Sequence, residues 1–146
     1  MQPAKKTIRR FFLLACLSLM SIAFISAVWG VDSYSIYLND KLLLRNALDQ
    51  PLSLESLNLS KASENDVLII RYRECHAPKT GVRDRSIGLR DHTGKILKTW
   101  KFNDGENNAA MRIPVKEILA AEKEQDNLVL FYTSQDLGRE QSLAAL

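Results

Sequence analysis

Between Arg10 and Asp32 the chain carries no charge: Lys5, Lys6, Arg9 and Arg10 are followed by an uninterrupted uncharged, mostly apolar run over residues 11–31. A basic segment followed by an apolar one directs a chain to the secretion machinery. This is the strongest constraint in the sequence. It assigns the first thirty residues to export and leaves the fold to be built from residues 31–146.

A signal peptide cut after Gly30 is the preferred reading, because Val31 and Asp32 open a more polar, strand-like stretch. A cut after Ala27 also offers the peptidase a small residue. The run is long enough to span a bilayer, which takes about 17–25 apolar residues, so an uncleaved anchor is the alternative. Leu13-Leu14-Ala15-Cys16 has the form of a bacterial lipidation signal, but apolar residues continue well past Cys16, where a lipoprotein turns polar. Positive charge stays cytoplasmic, so each reading puts the rest of the chain outside the cytoplasm, in the periplasm or the medium.

The formal charge of +3 is misleading for the exported part. Four of the 20 Lys and Arg precede residue 11, while all 17 acids follow residue 31, so the folded part is close to neutral. Such a domain has no global attraction for nucleic acid, which needs a basic face. Membrane contact is expected only through the N-terminal segment, if that segment is retained. The partner expected is a protein or small ligand of unspecified kind, and no cofactor is expected. The remaining 116 residues suit one domain with its own core. Cys75 is the only cysteine among them, so no intrachain disulfide can form there. It is expected to be a buried, reduced core residue; pairing with another molecule or reactivity are the alternatives.

Residues 34–38 alternate apolar and polar, Asn39-Asp40 suits a two-residue turn, and residues 41–45 return beside the first strand. Leu52, Leu54, Leu57 and Leu59 suggest a further strand with a slip of phase near Glu55-Ser56. The run Val-Leu-Ile-Ile-Arg-Tyr over residues 67–72 is the strongest strand signal, and its apolar content places it inside a sheet. Residues 77–85 read as a loop broken by Pro78 and Gly81. Residues 86–90 and 95–102 flank Asp91-His92-Thr93-Gly94, a β-turn ending in glycine. In the second arm Ile96, Trp100 and Phe102 are expected on one face. Residues 102–110 read as a polar loop. Pro114, Val115, Ile118 and Leu119 then give the one helical signal, ending near Glu124. Residues 128–133 form another interior strand, and 141–146 a short edge strand. The pattern predicts an all-β fold: a single antiparallel β-sandwich, Greek-key and immunoglobulin-like or cupredoxin-like, with one short connecting helix near 114–124. A barrel is the alternative.

Four groupings bear on chemistry. Cys75, His76, His92 and Met111 have the composition of a blue-copper ligand set, but not its close spacing, and no metal site is assigned. The segment 71–90 holds Arg71, Arg73, Lys79, Arg83, Arg85 and Arg90 against Glu74 and Asp84, an excess of base that suits an anion. No nucleophile elbow, phosphate loop, CxxC or HExxH is present, and the chain is read as a non-enzyme without catalytic residues. Tyr34, Tyr37, Tyr72, Tyr132 and Trp100 offer stacking surfaces for a sugar, although Trp100 falls in phase with the core. Asn58-Leu59-Ser60 matches a glycosylation acceptor. The expectation is an exported, non-enzymatic interaction or accessory module. Its candidate binding surface comprises Arg73, Cys75, His76, Arg83, Arg85 and His92. The alternative is a small metal- or anion-binding carrier using the region from Cys75 to His92.

Overall fold

The computed structural model describes residues 30–48, 54–76, 83–105 and 108–146. The N-terminal basic and apolar segment with Cys16, and the loop with Pro78, Lys79 and Gly81, lie outside the described residues.

Among the described residues, eight strands and one helix follow in the order β1 (Ser33–Leu38), β2 (Lys41–Ala47), β3 (Val67–Arg73), β4 (Arg83–Arg90), β5 (Ile96–Gly105), β6 (Ala110–Pro114), α1 (Val115–Glu124), β7 (Val129–Ser134) and β8 (Gln141–Ala145). They form two four-stranded sheets, ordered β2-β1-β3-β6 (sheet A) and β5-β4-β7-β8 (sheet B). Every named pairing is antiparallel. The two sheets pack face to face, so the all-β sandwich expected from the alternation is the observed fold.

Period-two alternation decides which residues meet. Ile36, Leu68, Ile70, Met111 and Ile113 of sheet A join Ile87, Leu89, Leu130 and Tyr132 of sheet B in one core, all without solvent exposure. β3 lies between β1 and β6, and β7 between β4 and β8, as their apolar runs required. The Asn39-Asp40 turn closes β1 onto β2, with Asn39 left-handed at φ 53°. Its side chain is tied to Asp66 and to the Val67 N–H, fixing this turn against the start of β3.

Both open sides of the sandwich are plugged. α1 closes the side between β5 and β6, burying Val115 and Ile118. Glu117 holds it there: its carboxylate accepts the Trp100 indole N–H at 2.7 Å and pairs with Lys98 at 2.6 Å. On the opposite side Leu57 and Leu59 are buried, and residues 55–57 bond the outer edge of β8. The Leu57 N–H donates to the Ala145 carbonyl and the Ala145 N–H to the Glu55 carbonyl. An exposed strand edge is thereby covered.

Four local expectations need correction. Residues 54–59 form no strand of their own; only Ser56 bridges Ala145, and Leu52 falls outside the described residues. The leucine spacing there reflects two anchors plugging a sandwich edge. Second, β5 continues to Gly105, and a five-residue edge strand, β6, stands between the polar loop and the helix. Third, Pro114 caps α1 in an extended conformation rather than entering its first turn, and it ends β6 at a sheet edge where proline is tolerated. Fourth, Ile96 is 51% exposed and does not share a face with Trp100 and Phe102. The β4–β5 register shifts beside Arg90, and Leu97 turns toward the core instead.

Candidate functional site

The residues singled out in the sequence separate in the structure. Arg73 ends β3 on the solvent face of sheet A. Cys75 and His76 follow in an exposed turn, which corrects the expectation of a buried thiol. The strand ends before Cys75, and Asp32 holds that turn open by accepting the Cys75 N–H at 2.8 Å. Arg83 starts β4, and its side chain lies outside the description. Arg85 is only 3% exposed: it points inward, in phase with Ile87 and Leu89, and donates to the carbonyl of Ala109, the residue just before β6. His92 sits in the β4–β5 turn, at the far end of β4. Eight residues at roughly 3.3 Å each put about 25 Å between the two ends of that strand. The segment from Cys75 to His92 is thus split between opposite ends of the sandwich. Met111 is buried in β6. Among the described residues no cluster of three or more His, Cys, Asp and Glu can hold a metal.

At the Cys75 end a polar network enters the core. Tyr34, Tyr72 and Tyr132 stack across the sandwich with ring planes within 10° of parallel at each step. Their hydroxyls donate to the Leu143 carbonyl, to Asp32 and to Glu74 respectively. Burial, followed by the neighbouring carboxylates, pushes Tyr72 and Tyr132 far above the ordinary phenol range. These three rings are structural, so they offer no surface platform to a sugar. A cleft of about 370 Å³ opens beside the network, with Asp32, Glu74, His76, Asp136 and Arg139 in its walls.

The outer face of sheet A is different in character. Alternation turns Ser33, Ser35 and Tyr37 of β1 outward, with Arg45 of β2, Arg71 and Arg73 of β3 and Arg112 of β6. All four arginines are exposed. Register brings them together: Ser35 pairs with Arg45 on one side and Arg71 on the other, Ser33 pairs with Arg73, and Ile69 pairs with Arg112. Among the described strand residues this face carries no acid. A shallow hollow of about 320 Å³ lies over it, lined by Ser33, Ser35, Tyr37, Arg45, Arg71 and Arg73, with Asn108 at its rim. The Arg71 guanidinium donates to the Asn108 carbonyl at 3.3 Å. Hydrogen bonding from Ser35, then from Arg45, holds the Tyr37 hydroxyl below the ordinary phenol range, and the Arg45 and Arg71 charges add to this.

Arg71 and Arg73 belong to the basic segment recognised in the sequence; Arg45 and Arg112 do not. Their signal is phase. Each occupies the polar position of an alternating strand, Arg45 after buried Leu44, and Arg112 between buried Met111 and Ile113. The other bases of the segment go elsewhere: Arg85 into the interior, and Arg90 to Glu140 at 2.7 Å and the Ser142 hydroxyl at 2.9 Å.

No protein-family model matches the chain, and no curated protein or solved structure matches it.

Proposed function

We propose that this protein is an exported, non-enzymatic interaction module that binds an anionic partner through the outer face of sheet A. One observation carries the reading: Arg45, Arg71, Arg73 and Arg112 stand exposed on one sheet face with no acid among its described residues. Arginines on a sheet surface are ordinarily interleaved with acids across strands. Here no acid stands among them in the described strands, and a bound anion would relieve the repulsion between them. The domain as a whole is near neutral, so any attraction for a polyanion has to be local rather than global. The basic and apolar segments before Asp32 support a place outside the cytoplasm.

Heparin serves as a probe polyanion. The wild-type chain is expected to be retained on a heparin matrix and released by moderate salt. Replacing Arg45, Arg71, Arg73 and Arg112 together by Gln should abolish retention. Replacing Lys95, Lys101, Lys116 and Lys123 by Gln removes the same charge elsewhere and should have a much smaller effect. Equal losses in the two variants would refute a dedicated face. Export is tested by the intact mass of protein recovered outside the cytoplasm: a chain starting near Val28 or Val31 supports it, and a wholly cytoplasmic product opposes it.

A further inference from the structure

We infer that the hollow centred on Ser35 is a binding site for a phosphoryl group, an inference that rests on the anionic-partner reading above. The argument starts from strand geometry. β1 lies between β2 and β3 with neighbours about 4.8 Å away, so Arg45 and Arg71 flank Ser35 from opposite sides at one level of the ladder. Arg73 flanks Ser33 at the next outward level. The two serines are short, and between longer arginine and tyrosine side chains they form the floor of the 320 Å³ hollow.

The donors suit a tetrahedral oxyanion better than a planar one. A carboxylate is satisfied by a single two-pronged arginine. Here guanidinium groups rise from two strands on either side of β1, and the Tyr37 hydroxyl, which accepts from Ser35 and Arg45, keeps its own O–H to donate between them. That arrangement offers donors from several directions at once, as a phosphate with three outer oxygens requires. Two or three arginines also match the charge of a phosphate monoester, which is about −1.5 to −2 at neutral pH. Hydrogen bonds from Ser35 and then Arg45 lower the Tyr37 hydroxyl, in keeping with donors that converge on this point of the hollow. The Asn108 carbonyl occupies only part of the Arg71 donor set, since a guanidinium presents five donors.

The test uses the full chain in a non-ionic detergent, titrated at constant ionic strength with inorganic phosphate, with glycerol 3-phosphate, and with acetate as the planar control. Saturable binding of the two phosphates at least tenfold tighter than of acetate is expected. Binding should raise the Tyr37 hydroxyl back toward its ordinary value, seen as a delayed first step in the tyrosine absorbance titration and absent in Tyr37→Phe. Arg45→Gln and Arg71→Gln should each weaken phosphate binding about ten- to hundredfold, the loss expected for one charge-assisted bond. Lys101→Gln should not. A parallel arm adds phosphatidic acid, whose headgroup is a phosphate monoester, to the micelles. Tighter binding there than to free phosphate, with the same sensitivity to Arg45 and Arg71, supports the same site with a lipid headgroup as the source. Acetate binding as well as phosphate, or phosphate affinity unchanged in both arginine variants, overturns the proposal. Retention on heparin without phosphate binding overturns it while leaving the broader anionic face intact; loss of both sinks the two together.

Discussion

The far end of the Phe131 ring sits directly over Gly88. The two residues are paired in the β4–β7 ladder, and a Cβ built on Gly88 would run into three atoms of that ring. Phe131 is only 1% exposed although it points away from the core between the sheets, and the Arg90 guanidinium stands 5.5 Å from its centroid. Arg90 is in turn fixed by Glu140 and Ser142. This small outer cluster joins β4, β7 and β8 on the side of sheet B away from the tyrosine stack.

Gly88→Ala is therefore expected to destabilise the fold by about 1–3 kcal/mol, the range for overpacking a filled site. Pairing it with Phe131→Leu should recover part of the loss, because the smaller side chain leaves room for the methyl group. Thermal or urea unfolding of the two variants checks this. An alanine variant as stable as wild type would mean that the ring does not rest on Gly88.

The turn between β4 and β5 hangs on one carboxylate. Asp91 Oδ1 accepts the Thr93 N–H at 2.8 Å, the Thr93 hydroxyl at 2.6 Å and the Lys95 N–H at 3.0 Å. The Thr93 hydroxyl is the largest cause holding this carboxyl below the usual carboxylate range. A carboxyl lowered on folding stabilises at pH values above its unfolded value, near 3.9, and that contribution fades as pH falls through the lower folded value. Asp91→Ala removes three hydrogen bonds and should lower stability at pH 7. The gap between wild type and variant should close in acid. A constant gap down to pH 2 would show that the ionised form is not what holds the turn.

The architecture was legible because burial here follows a period of two. Residues 67–72 and 128–133 announce interior strands, and the two short turns carry residues that tolerate tight bends. The arginine-bearing face of sheet A was not legible in the same way. Arg45, Arg71 and Arg112 lie far apart in the chain, and only the pairing of β2, β1, β3 and β6 makes them neighbours. Counting bases along residues 71–90 placed Arg85 on the surface, although its position two before Ile87 and four before Leu89 marked it as inward. The same count put His92 beside Cys75, when a whole strand separates them. Nearness in sequence stood in for nearness in space, and in a sheet the register decides the second.

The tyrosines give an alkaline prediction. Tyr34, Tyr72 and Tyr132 are raised, first by burial, whereas Tyr37 is lowered. In the unfolded chain all four should ionise near pH 10. A group raised on folding stabilises fully below its unfolded value, and the contribution is lost as pH climbs toward the folded value. Three raised groups outweigh one lowered one, so stability should fall steadily above about pH 10. Absorbance titration of the native protein should show one early phenol, Tyr37, and no ionisation of Tyr72 or Tyr132 until the chain unfolds. Tyr72→Phe should flatten the decline in urea-derived stability between pH 9 and 11, about 10 being where free phenols titrate. A wild-type titration with four equivalent phenols would show that the stack is open to water.

Cys75 supplies the last prediction. Its thiol is exposed and unbridged, its backbone N–H is held by Asp32, and Gly30 packs against Sγ so closely that a side chain at position 30 would displace it. A thiol in that position should react with iodoacetamide in the native protein at a rate within about tenfold of the unfolded chain, because access rather than global opening limits it. Peptide mapping by mass spectrometry separates Cys75 from Cys16. In an oxidising compartment an exposed thiol also pairs with other chains, so non-reducing electrophoresis should show a reductant-sensitive dimer that Cys75→Ser removes. In the full-length chain, which retains residue 30, Gly30→Ala should change the labelling rate without shifting the melting temperature, since the contact lies at the rim rather than in the core. Full protection of Cys75 in the native state, with no dimer, would return the residue to the interior and contradict its placement in the turn after β3.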